Sequence, residues 1–250
     1  MRKANKTDHD EASGSGPAQE KRICMTEREQ IKQELRREIM QDMSARFRQE
    51  QMKKLANFRQ QNAYVKKGQT LFTGSSLMEL FPIAEYCVNE GLPIAYNRGI
   101  GGYTTDDFLS AVDTVLLDLQ PSKLFINIGT NDIRSMPEGE DWLEHLSANY
   151  RRICEIIREQ LPETVVYMMA YYPVSPDGDS PALQVRTNEA IERANAMVQG
   201  LAASFGFHYI DVNDGLKDEN GNLKKEHTQD GIHFDAAAYR TVFERLRKYL

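Results

Sequence analysis

From about residue 69 onward the chain alternates short, apolar, β-rich runs with longer amphipathic ones, and few folds accommodate that pattern. The β-rich runs fall at 70–72, 94–96, 124–128, 165–169 and 208–210. Helical periodicity fills the gaps, over roughly 77–90, 104–118, 140–160, 184–204 and 235–249. Short, continuously apolar strands suit a sheet buried on both faces, and parallel neighbours need a crossover long enough for a helix. The expectation is an α/β fold: five parallel strands, helices on both faces, right-handed crossovers.

In such sheets, sites collect beyond the carboxyl ends of the strands. Gly74-Ser75-Ser76 follows the first run, Asn97-Arg98-Gly99-Ile100-Gly101-Gly102 the second and Gly129-Thr130-Asn131-Asp132 the third. Tyr171-Tyr172-Pro173 follows the fourth, and Asp230-Gly231-Ile232-His233 precedes the last helical stretch. Small and polar residues therefore gather at one end of the sheet. A serine at a strand-to-helix turn exposes its hydroxyl near unsatisfied N–H groups and the positive end of a helix dipole, which suits a nucleophile and an oxyanion. The same residues also serve as a tight turn and N-cap. Asp230, three residues before His233, is spaced to hold one ring nitrogen while the other faces outward; the alternative is a plain turn with an exposed histidine. A neutral amide such as Asn131 can donate to an oxyanion without competing as a base, or can close an Asx-turn. The glycines at 99–102 permit close backbone approach, but they form no G-x-G-x-x-G and no Walker lysine follows. His145, His208 and His227 read as helix-face, strand and loop residues, and His9 lies in a polar tail.

The N-terminal quarter is of another kind. Residues 1–25 are polar and include Ser13-Gly14-Ser15-Gly16, the composition of a disordered tail. Thr26 and Glu29 fit a capping box at the head of a helix over 26–62, about 50 Å long. Its apolar residues include Ile31, Leu35, Ile39, Met43, Phe47, Met52, Leu55 and Phe58. Their steps drift from a heptad; a homo-oligomerisation element, a helix packed on its own domain and a membrane-surface helix are the readings. Residues 63–250 then form the α/β domain. Residues 1–60 carry 14 Lys/Arg against 10 Asp/Glu, the remainder 17 against 27, so the larger part is acidic and ill suited to nucleic acid. Neither a secretory leader nor a transmembrane run is visible, and Cys24, Cys87 and Cys154 have no metal-ligand spacing. A cytoplasmic protein is the expectation.

Four of the motifs, in order, resemble the SGNH (GDSL-type) hydrolases: Phe72-Thr73-Gly74-Ser75-Ser76, Asn97–Gly102, Gly129-Thr130-Asn131-Asp132 and Asp230-x-x-His233. The likeness covers about residues 69–250 and is nearest the subgroup of platelet-activating-factor acetylhydrolases and small carbohydrate esterases. It implies a three-layer α/β/α sandwich with flavodoxin-like strand order, and no metal or organic cofactor. It implies Ser76 as nucleophile, His233 as base and Asp230 as its orienting partner. The backbone N–H groups of Ser76 and Gly102 and the Asn131 amide would form the oxyanion hole. The implied reaction is hydrolysis of a small ester, and the bulky residues that flank the site in sequence suggest a short acyl group such as acetyl. Leu77, Arg134 and Tyr172 flank the site in sequence and are the substrate-binding candidates; Leu77 also reads as an inward-packing helix residue, and Arg134 as the partner of a surface carboxylate. The family usually has Asp where this chain has Ser75, which leaves open a non-catalytic scaffold dimerised by its helix.

Overall fold

The computed structural model describes residues 27–137 and 139–250. The polar tail, Cys24, His9 and the Thr26 cap lie outside the described residues. Helix α1 runs Glu27–Asn62. The five strands are β1 (Thr70–Gly74), β2 (Ala95–Asn97), β3 (Lys123–Asn127), β4 (Val165–Met169) and β5 (His208–Ile210). All pair in parallel in the order β2-β1-β3-β4-β5, the flavodoxin-like order. The sheet is the expected α/β core.

Alternation along each strand divides the core in two. Leu71, Leu124, Ile126, Val166 and Met168 pack on one face, with helices α4 (Thr105–Ser110), α5 (Val112–Val115), α6 (Trp142–Gln160) and α7 (Asn188–Phe205). Phe72, Phe125 and Met169 pack on the other, with α2 (Ser76–Glu79), α3 (Ile83–Asn89) and α8 (Ala236–Leu246). On the second face, in-register pairing stacks Phe72 on Phe125 at 4.6 Å, Phe125 on Tyr167 at 4.7 Å and Tyr167 on His208 at 5.1 Å. This aromatic ladder ties four strands together.

Two of the expected helices are broken. The 77–90 stretch divides into α2 and α3 because Pro82 lacks an N–H and disfavours helical backbone at Phe81. The 104–118 stretch divides at Ala111 and ends in a 3₁₀ turn, Leu117–Leu119. The last three helices begin on side-chain caps: Asp141 accepts from Leu143, Thr187 from Ala190 and Asp235 from Ala238.

The chain forms two compact units, one ending at Phe47 and the other spanning Arg48–Leu250. The boundary falls inside α1, not at residue 63, because the last turns of the helix are engaged by the larger unit. Gln51 and Asn62 are buried there, and Leu55 and Phe58 pack against the core. Arg98 donates to Asn62 Oδ1 at 2.9 Å and lies 4.8 Å over the Phe58 ring. In the smaller unit, Ile31, Leu35, Ile39, Met43 and Phe47 are each about half exposed or more. No helix among the described residues is long and apolar enough to cross a membrane.

Candidate active site

The carboxyl end of β1 turns sharply at Gly74, whose φ is +151°. A Cβ there would sit 2.0 Å from the Asn127 carbonyl oxygen, so only glycine fits. Ser75 follows, 2% exposed, its N–H on Asn127 O and its carbonyl accepting the N–H groups of Met78 and Glu79 in α2. Ser76 opens α2 and is half-buried. The helix behind it has four residues, so its dipole is short; the free N–H groups of the turn, not a macrodipole, are what this end offers.

His233 approaches from the loop before α8. Its Nε2 lies 3.0 Å from Ser76 Oγ and its Nδ1 2.6 Å from Asp230 Oδ2. The other oxygen of Asp230 accepts the backbone N–H groups of Ile232 and His233, each at 2.8 Å. Burial alone would raise the Asp230 carboxyl, but the backbone and ring N–H groups of His233 and the N–H of Ile232 outweigh it and hold it at about 2. A carboxylate so held fixes Nδ1 as the protonated nitrogen and leaves Nε2 to accept from Ser76. Ser75 has no such relation to the histidine.

The second and third loops close around the same serine. Arg98 N donates to Phe72 O and Ile100 N to Gly74 O, carrying the pairing with β1 past the end of β2. Gly99 lies against α2 so closely that a Cβ would be 2.3 Å from Glu79 N. A Cβ on Gly101 would be 3.8 Å from Ser76 Cβ. Asn131 donates through Nδ2 to Tyr103 O at 3.0 Å, which brings the amide beside the Gly101-Gly102 turn. Among the described residues, no acceptor takes the N–H of Ser76 or of Gly102. A serine paired to a histidine–carboxylate couple, facing free N–H donors, can be deprotonated as it attacks a carbonyl.

The flanking candidates fare unevenly. Leu77 (5% exposed) and Tyr172 (3%) are corrected by the structure: both side chains belong to the core. Leu77 points under α2, and its carbonyl accepts from Tyr239 Oη. Tyr172 packs edge-on to Phe234 at 4.9 Å. Arg134 is exposed, with Asp106 among its neighbouring charges. A cleft of about 320 Å³ is lined by Gln229, Asp230, His233, Phe234 and Asp235. Asp106, Asp132 and His145 bring ligand atoms within 4.8 Å of one another. Neighbouring protein groups already engage them: Asp132 accepts from the N–H and hydroxyl of Thr105, and Asp106 meets His145 Nε2 and accepts from Asn149 Nδ2.

Several supporting residues escaped the sequence reading. Glu79 accepts from Gly101 N and pairs with Lys54; Gln51 donates to Gly101 O at 2.6 Å. Both flanks of the Gly101 peptide are thus held from α1 or α2. Asn97 donates to the Met78 and Phe81 carbonyls and accepts from Gly99 N, joining β2 to α2. Of these, only Asn97 stands in a motif singled out in the sequence; Gln51, Lys54 and Glu79 carry no local signal.

The profile of the GDSL-like Lipase/Acylhydrolase family matches residues 82–241, a span that begins after Ser76 and holds Gly102, Asn131, Asp230 and His233. A Streptococcus pneumonia protein assigned as a platelet activating factor superposes with a TM-score of 0.76 at 30% identity, over 84% of this chain and 97% of that one. Bovine platelet-activating factor acetylhydrolase IB subunit alpha1 is 24% identical over 188 residues, 74% of this chain and 76% of the relative. An Escherichia coli N-acylneuraminate cytidylyltransferase is 29% identical over 151 residues, 59% of this chain. The chain spans about a third of the length of that cytidylyltransferase.

Proposed function

The chain belongs to the GDSL-like lipase/acylhydrolase family and hydrolyses esters, and on that premise we propose that it works through an acyl-enzyme on Ser76. The observation that carries this reading is the continuous hydrogen-bonded chain from Ser76 Oγ through both nitrogens of His233 to Asp230. Ser76 Oγ attacks the ester carbonyl as its proton passes to His233 Nε2. Asp230, a carboxylate at any pH above about 2, stabilises the imidazolium through Nδ1–H. The oxyanion forms between the N–H groups of Ser76 and Gly102 and the second amide N–H of Asn131. His233 then protonates the departing alcohol, takes a proton from water, and hydroxide attack on the acyl-enzyme releases the acid and returns the proton to Ser76.

A short acyl group, such as acetyl, is the proposed specificity. The tight approach of Gly99 to α2 supports it, as does the acetylhydrolase activity in the name of the bovine relative. Arg134, exposed past the Asn131 turn, is the proposed contact for a polar leaving group. Residues 31–47 of α1 are proposed to pair copies of the chain through their exposed apolar side chains.

Turnover of p-nitrophenyl acetate tests the central step. Ser76→Ala is expected to abolish it; unchanged turnover in that variant overturns the assignment.

A further inference from the structure

Arg186 is a buried cation with no counter-ion: it is 9% exposed, and among the described residues no carboxylate comes within ion-pair distance. Burial pushes its guanidinium down to about 10, although Asp132 and Asp230 act in the opposite direction, so it stays charged at neutral pH. Burying a guanidinium without a direct ion pair is costly even with two carboxylates nearby. What it touches is the amide of Asn131: Nη2 donates to Asn131 Oδ1 at 2.9 Å, and Nε finds no acceptor.

That contact fixes the direction of the amide. Oδ1 is taken by the guanidinium, and one N–H of Nδ2 goes to Tyr103 O at 3.0 Å. Turning the amide over would set its NH₂ against the guanidinium, donor facing donor, and its oxygen against the Tyr103 carbonyl. Both hydrogen bonds would be lost and both replaced by repulsion. The orientation is therefore held from two sides, with one N–H left over. A cation on the amide oxygen also draws electron density from the nitrogen, so the remaining N–H becomes a stronger donor.

We propose that Arg186 is a positioning residue of the oxyanion hole, which aims and polarises the Asn131 amide. This rests on the reading of Asn131 as an oxyanion donor. Arg186 acts through Asn131, so removing it after Asn131 has gone should cost nothing more. A residue that merely braced its own loop would instead lower stability and multiply with Asn131→Ala.

The test is a double-mutant cycle on the full chain, with kcat and KM for p-nitrophenyl acetate and the inhibition constant of 2,2,2-trifluoroacetophenone, which builds an oxyanion on the serine. Arg186→Met is expected to lower kcat by ~10–100-fold with KM nearly unchanged, and to weaken the ketone by a similar factor. The Asn131→Ala/Arg186→Met pair is expected to equal Asn131→Ala alone. Arg186→Lys keeps the charge but not the fork, is expected to lose less than Arg186→Met, and carries the same cycle should the methionine variant not fold. Losses that multiply, or a kcat loss without a matching loss of ketone affinity, overturn the proposal. If Ser76→Ala leaves turnover intact, the triad reading fails instead, so the two failures are distinct.

Discussion

Asp230→Asn isolates the orienting carboxylate without changing its shape. In the native site one oxygen of Asp230 accepts two backbone N–H groups at 2.8 Å and the other faces His233 Nδ1 at 2.6 Å. An asparagine must give its oxygen to the two backbone donors, which leaves its NH₂ against the ring. Only an unprotonated Nδ1 can accept from that group, so the proton moves to Nε2 and the base toward Ser76 is lost. The expected fall in kcat is on the order of 10³–10⁴, as for serine hydrolases whose histidine is held in the wrong tautomer. Stability responds as well. The native carboxyl sits at about 2 against an ordinary 3.8, a shift worth roughly 2.5 kcal/mol at face value and about 1–2 kcal/mol once a one-third-exposed group is discounted for solvent screening. Because the native value is depressed, that stabilisation is present in full above about pH 4 and is lost as the pH falls toward 2. Urea unfolding of both proteins from pH 7 to pH 2.5, beside steady-state kinetics on p-nitrophenyl acetate, reads both effects. A kcat within tenfold of the parent, or a stability gap that stays flat between pH 6 and pH 3, refutes the reasoning.

Other outcomes follow from the packing. Leu77→Ala should destabilise the protein by about 2–4 kcal/mol in denaturant unfolding while leaving KM nearly unchanged, since the side chain is core and not substrate surface. Gly99→Ala should drive the second loop off α2, because its Cβ meets backbone at 2.3 Å; a loss of activity larger than the loss of stability is expected from kinetics and thermal unfolding together. A chain beginning at Arg48 should keep wild-type turnover and sediment as a monomer, whereas one beginning at Gly68 should lose activity with the Gln51, Lys54 and Asn62 contacts. Equal sedimentation of the full chain and the Arg48 form removes the pairing role proposed for residues 31–47.

The sheet was legible because its signal is local. Five short apolar runs, separated by helical lengths, point to a buried parallel sheet, although runs apolar on both faces do not say which face Leu71 or Phe72, Phe125 or Ile126 takes. The ends of the strands were legible for a related reason: glycines and polar residues are out of place after a buried strand unless something needs them. Gly74 and Gly99 have that need in the contacts a Cβ would make. Direction within the first helical turn was not legible. Ser76 and Leu77 are sequence neighbours, yet a helix turns about 100° between them, and one faces His233 while the other faces the core. The supports were hidden for want of any local pattern. Gln51 reaches Gly101 across fifty residues and Arg186 reaches Asn131 across fifty-five, each from a stretch whose composition reads as an ordinary helix or loop. The boundary of the larger unit was misplaced for the same reason. The apolar stripe of α1 reads as one continuous face, although its last turns are built into the α/β unit and its first are exposed.

The central claim is that Ser76, not its neighbour, is the nucleophile. Treatment with a fluorophosphonate probe, followed by tryptic digestion and fragment sequencing by tandem mass spectrometry, reads this directly, because the peptide between Lys67 and Arg98 carries both serines. A single adduct on Ser76, absent after His233→Ala, is the predicted result. An adduct on Ser75, or none on a protein that still turns over p-nitrophenyl acetate, contradicts it.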